Sequence, residues 1–174
     1  SPPVQLYHLR SEAPVPASGP DPALPPEVWQ LLLPVRVPEY LDREALLLPQ
    51  GQTGLLALSG HRWAESLRDA VPRVLRQDLA TLRGDDRVWT APVPSGVPVK
   101  RQLRVDILGL EVDADRQGVR LQARWTLLDP SGQRTPRHDS ARIHVASAGS
   151  TIDSLVAAHR LALWRLAERI AAAR

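Results

Sequence analysis

Apolar and polar residues alternate without error along 119–127. Val119, Leu121, Ala123, Trp125 and Leu127 share one parity, and Arg120, Gln122, Arg124 and Thr126 take the other. This predicts a strand with one face in a core and one in water. The stretch before it carries the same signal with a defect: Leu103, Val105 and Ile107 agree in phase, then Leu108, Leu110 and Val112 take the opposite phase around Gly109. A slip of one residue predicts a bulge or bend. Residues 113–118 supply the turn between these strands, and Asp129-Pro130-Ser131-Gly132 a type I or II turn after them. A last strand then turns Ala141, Ile143 and Val145 inward, so three antiparallel strands are expected.

Two stretches follow a spacing of three and four. Trp63, Leu67, Ala70, Val71, Val74, Leu75, Leu79 and Leu82 predict a helix that opens at Trp63, is capped by Ser59 and stops at Gly84. Its solvated side is read as Arg68, Asp69, Arg73, Arg76 and Asp78. Pro72 falls inside this pattern and predicts a bend or break near Ala70, because it has no N–H to give. Ser150-Thr151-Ile152-Asp153 has capping-box spacing and opens a closing helix expected to run to Arg174. Its stripe is Ile152, Leu155, Val156, His159, Leu163, Leu166 and Ile170, with Arg160, Arg165, Glu168 and Arg169 elsewhere.

The first third is less regular. Val4 and Leu6 face opposite to Gln5 and Tyr7 in a first strand that ends at Leu9. Residues 11–26 hold too much Pro to bury a face and read as a loop or a polyproline segment on the surface. The apolar run Leu31, Leu32 and Leu33 predicts a strand covered on both faces, in the middle of the sheet. In PVRVPEYLDR, residues 34–43, Val35 and Val37 oppose Arg36 between Pro34 and Pro38, which reads as a short strand leaving the core. Tyr40 and Leu41, then Asp42 and Arg43, form an anchored corner. Residues 44–49 and 55–58 flank a Gly-containing hairpin loop, and 87–91 form a brief strand before a Pro-rich crossing. The sum is one domain over residues 1–174 of α+β class, sandwich-like. A mostly antiparallel or mixed sheet is packed by two long amphipathic helices, and the Pro-rich segment at 11–26 lies outside both.

Composition narrows the chemistry. Without Cys there is no disulfide framework, thiolate nucleophile or Cys-ligated zinc. With no Met, Ser1 is expected to follow a segment either removed by processing or left out by design. Lys100 is the only Lys among 22 basic residues, yet the net charge is +3 and no basic run marks a nucleic-acid tail. The Arg excess fits GC-rich coding better than selection for phosphate. No stretch is long enough to span a membrane as a helix.

No catalytic spacing stands out, and no catalytic, cofactor or metal residue is assigned. His138, Asp139 and Ser140 are the residue types of a hydrolase triad, but strand neighbours alternate faces and cannot form the relay. His138 and His144 share a parity without a nearby acidic ligand, a poor metal site. His159, on an apolar stripe, is either a pH switch or a neutral core histidine with one hydrogen bond. Asp42 or Glu39 with Arg43 either meets a partner or holds the corner; Arg120 and Arg124 either meet anionic headgroups or solubilise their strand. The residues favour a binding or assembly module over an enzyme.

PVRVPEYLDR, followed by HRWAESL and a long amphipathic helix, resembles the PqiC/YmbA-like auxiliary lipoproteins of ABC-type transport systems. The opening VQLYHLR, the strand-rich middle and the closing helix fall in the family's order. The resemblance implies a non-catalytic lipoprotein on the periplasmic face of the outer membrane, held by an N-terminal lipid anchor. It implies a subunit of an intermembrane lipid transport system that supports envelope integrity, docking or receiving a periplasm-spanning protein of the mammalian-cell-entry type. A homo-oligomer is expected, phospholipid is a further candidate partner, and nucleic acid is not. The positions carrying the family pattern are Val35, Pro38, Tyr40, Leu41, Asp42, Arg43, Trp63 and Leu67. The alternative is a stand-alone periplasmic protein binding lipid or another small ligand.

Overall fold

The computed structural model describes residues 2–173; the expectations for Ser1 and for a helix reaching Arg174 lie outside them. In chain order the strands are β1 (Gln5–Tyr7), β2 (Val28–Leu31), β3 (Ala45–Gln50), β4 (Gly54–Trp63), β5 (Val88–Trp89), β6 (Val99–Val112), β7 (Gly118–Leu128) and β8 (Arg137–Ala146). The helices are α1 (Leu67–Arg83) and α2 (Ile152–Ala171). The fold is α+β, with one sheet ordered β5-β2-β6-β7-β8 and a smaller one ordered β1-β4-β3. β6, β7 and β8 are antiparallel as their alternation predicts, while β2 pairs in parallel with both β5 and β6.

The apolar parity of β6 and β7 is the main source of the core. Leu103, Val105, Ile107, Val119, Leu121, Ala123, Trp125 and Leu127 are all buried under the two helices. The expected bulge is present, with the β6–β7 register shifting between Ile107 and Gly109. Leu110 and Val112 stay inward because Leu108, the extra residue, is turned out to 42% exposure. Arg83 closes the far end: its guanidinium lies 3.8 Å over the Trp29 ring and donates to the Ala171 and Pro25 carbonyls. It thereby satisfies a carbonyl at the negative end of α2.

Several expectations need correction. α1 opens at Leu67 with Ser66 at its N-cap, because β4 runs through Ser59 and claims Trp63. The Trp63 N–H donates to the Glu44 carbonyl at 2.6 Å and the Ala64 N–H to the Tyr7 carbonyl at 2.8 Å, so this backbone belongs to the ladder. The spacing of four between Trp63 and Leu67 mimics a helical stripe across a strand-to-helix junction. α1 is unbroken at Pro72. The bond Pro72 forfeits would have gone to the carbonyl of Arg68, which is exposed in the first turn, where water can satisfy it.

β2 ends at Leu31, and β6, not β2, is the middle strand; Leu33 is 53% exposed. Residues 34–38 pair with the sheet only through a bridge from Arg36 to Asp106, and Glu39–Leu41 is a 3₁₀ turn. In the first strand Leu6 is exposed while Tyr7 and Leu9 turn inward. Thr151, one residue later than expected, caps α2 by accepting from the Ser154 N–H. Asp78 and Arg160 are both buried, against the expectation of Asp78 on a solvated side and of Arg160 off the buried stripe of its helix.

Candidate functional site

Residues 32–43 form a strap along the edge of β6 that β2 leaves open. The Leu32 N–H donates to the Leu103 carbonyl at 2.8 Å and the Arg36 N–H to the Val105 carbonyl at 3.2 Å. The Ile107 N–H returns a bond to the Arg36 carbonyl at 2.7 Å. Past the bulge a side chain takes over: the Leu110 N–H donates to the Tyr40 hydroxyl at 3.3 Å, and that hydroxyl donates to Glu111 Oε1 at 3.0 Å. Burial, then the adjacent Glu111 carboxylate, pushes the Tyr40 hydroxyl up to about 12, with the Leu110 bond opposing. Tyr40 therefore acts as a neutral donor that finishes the strap where backbone pairing stops.

The family-pattern residues come from three elements: positions 35–43 from the strap, Trp63 from the end of β4 and Leu67 from the start of α1. Val35, Leu41, Trp63 and Leu67 are buried, Pro38 is half-buried, and Asp42 and Arg43 are exposed. Trp63 meets the edge of the His159 ring with centroids 5.1 Å apart at 72°. The His159 ring shares a hydrogen bond at 2.7 Å with the Leu155 carbonyl, which requires its proton on Nδ1. Burial lowers His159 to about 4, so at neutral pH it is an uncharged core histidine. Asp42 accepts from Arg68 at 3.0 Å and so ties the strap to the first turn of α1. Arg43 stands at the rim, outside that pair.

Tyr40, Leu41, Arg43, Trp63, Leu67 and His159 line a cavity of about 20 Å³ at this corner. That is room for about one water. The corner is a packed joint with a polar rim, and it has no volume for a lipid chain.

A further joint escaped the sequence reading. Arg160 on α2 clasps Asp78 on α1 with two bonds of 2.6 and 2.7 Å. Its remaining donors reach the Arg10 carbonyl at 2.7 Å and the Glu12 carbonyl at 3.0 Å. Arg73 pairs with Glu65 and holds the same segment through the Leu9 carbonyl at 2.9 Å and Ser11 Oγ at 3.0 Å. The two arginines thus fasten residues 9–12 across both helices. A signal was available: Asp78 stands three and four residues from Leu75 and Val74, and Arg160 four from Val156 and three before Leu163. Opposite charges in the apolar phase of two helices expected to pack together predict a buried pair.

On the outer face of the large sheet two arginines, Arg120 and Arg124, are paired with acids. Arg120 pairs with Asp113 at 2.9 Å and Glu111 at 3.5 Å, and Arg124 with Asp106 at 3.2 Å. These two are neutralised locally, while Arg104 and Arg142 are also exposed on the same face. His138 bonds to Thr126 at 2.8 Å, and the Asp139 carboxylate accepts from the Ser140 N–H at 2.8 Å, so the three residues form no relay. His144 does have an acidic neighbour, Asp113, at 2.5 Å, which corrects the sequence expectation. Among the described residues no three His, Cys, Asp or Glu side chains gather as metal ligands, and no helix is long and apolar enough to cross a membrane.

Comparison with known proteins places this architecture. A solved but uncharacterized protein superposes with a TM-score of 0.74 at 18% identity, covering 98% of this chain and 97% of that one. Protein XCC0632 from Xanthomonas campestris gives 0.73 at 19% identity, covering 97% and 93%. PelC from Paraburkholderia phytofirmans, solved as a dodecamer, gives 0.50 at 10% identity over 89% and 95%. No curated protein matches the chain by sequence. The family model described as ABC-type transport auxiliary lipoprotein component matches residues 7–171, which include the strap, both joints, both helices and every strand except the first two residues of β1, and the chain belongs to that PqiC-like family.

Proposed function

We propose that this protein is a non-catalytic, lipid-anchored subunit on the periplasmic face of the outer membrane, serving an intermembrane lipid transport system of the mammalian-cell-entry type. Its task is to dock or receive the periplasm-spanning component, as a homo-oligomer, and so to support envelope integrity. The match to a transport auxiliary family over residues 7–171 carries this reading. The joint at Tyr40 and Trp63 is not itself a lipid pocket, because its cavity of about 20 Å³ holds about one water and not an acyl chain. Asp42 and Arg43, exposed beside it, are the partner-facing candidates. The dodecamer described for PelC is consistent with the oligomer proposed here.

The test is size-exclusion chromatography with light scattering, on the protein alone and mixed with the periplasmic domain of a mammalian-cell-entry-type protein from the same organism. An oligomer that co-elutes with that domain is expected. A monomer indifferent to the domain and carrying phospholipid by mass spectrometry would replace this reading with a stand-alone lipid-binding protein.

A further inference from the structure

The smaller sheet has an open edge of unusual composition. β4 pairs with β3 along 54–57 and with β1 only along 61–63, so among the described residues no strand pairs with the other edge of 55–59. Pro49 determines which backbone groups face that edge. It stands opposite Leu55 and has no N–H, so the two residues cannot exchange bonds and form a non-hydrogen-bonded pair. The N–H and C=O of Leu55 therefore point away from β3, and by alternation so do those of Ala57.

The side chains around these groups do nothing to guard them. Leu55 and Leu56 are 45% and 38% exposed, Ala57 is exposed, and residues 54–60 contain no charge. By contrast β8, the open edge strand of the large sheet, carries Arg137, Asp139 and Arg142. Charged residues are the usual protection of an open edge, so their absence from β4 marks it as an edge that is filled.

We propose that this edge of β4 accepts an extended, uncharged segment of a partner protein, with apolar side chains at two-residue spacing, as an added strand. The protein already uses the next stretch of the same edge in this way, where β1 lies parallel on 61–63. A second copy would have to pair through 55–59 alone, since β1 occupies the edge beyond and Gly60, at φ 80°, breaks the line. So short a contact falls well below the roughly 1,200 Å² that a stable protein interface needs. Strand addition suits a short edge, because main-chain bonds supply affinity and alternate side chains supply selectivity.

The inference rests on the docking reading above, with the segment belonging to the periplasm-spanning component. Amide exchange measured by NMR on the full chain, free and with that component's periplasmic domain, separates the two. The Leu55 and Ala57 amides are expected to slow by about tenfold or more in the complex, while Leu56, already bonded to β3, changes little. Ala57→Lys, on an exposed side chain, is expected to weaken the complex by about tenfold. A complex whose Leu55 and Ala57 amides exchange as in the free chain overturns strand addition and leaves docking standing. Protection that appears in the free chain and grows with its own concentration assigns the edge to a second copy and also overturns it. If light scattering detects no complex, both readings fall.

Discussion

Two aspartate–arginine pairs tie α1 to the rest of the molecule, and burial separates them. Asp42 and Arg68, 3.0 Å apart, keep 42% and 61% of their side chains in water. Asp78 and Arg160, 2.6 Å apart, keep 0% and 7%. The exposed pair sits in the stretch that dominates the sequence and contributes little to stability, because water screens it. The buried pair is inconspicuous in the sequence and is costly to break, because either partner left alone is an uncompensated buried ion. A conspicuous charge pair thus adds little to stability, while an inconspicuous one holds the fold.

The most severe way to break this contrast is Asp78→Ala. It strands the Arg160 guanidinium among the carbonyls of residues 10–12, and a loss of about 3–5 kcal/mol is expected, read as a lower denaturant midpoint at unchanged slope. An unchanged midpoint would mean that those carbonyls carry the cation without the carboxylate.

A subtler experiment uses pH. Burial pushes Asp78 from 3.8 up to about 6, with the Arg160 bonds opposing, and pulls His159 from 6.5 down to about 4. The raised carboxyl contributes stability that is full below 3.8 and lost as pH rises through 6; the lowered imidazole contributes stability that is full above 6.5 and lost as pH falls through 4. The two slopes oppose each other across this window. Asp78→Asn is expected to expose a stability that rises with pH, and His159→Gln one that falls. Parallel pH profiles for wild type and both variants would show that neither group titrates there.

The smallest effect is expected at the exposed pair. Asp42→Ala should cost at most about 1 kcal/mol by denaturant titration, and less in high salt. If the same variant weakens the complex with the periplasmic domain, Asp42 is a partner contact; a large loss of stability instead would make it a structural residue like Asp78.

Much of this architecture is legible in the sequence, for identifiable reasons. The strands β6, β7 and β8 each have one wet and one dry face, so their burial is written into a period of two, and even the bulge at Gly109 shows as a phase slip. The helix stripe through Leu155, Val156, Leu163, Leu166 and Ile170 is equally plain. Local pattern fails where distant backbone decides. Trp63 has the spacing of a helix residue, but Glu44 and residue 7 hold its neighbourhood in a ladder. The corner residues stand together in the sequence, while their geometry is hidden there, because Tyr40 acts on Leu110 and Glu111, far along the chain.

The sequence by itself determined the class of the domain, the inward parity of its central strands, the stripes of its helices and the family it resembles. Those follow from local periodicity, which records which side of each element must avoid water. Only the tertiary structure decided that Asp78 finds Arg160, that the strap finishes the edge of β6 through a tyrosine hydroxyl, and that β4 is left with an unguarded edge. Each depends on contacts between residues distant in the chain, where the free energy of a polar group is set by the partner that folding brings to it.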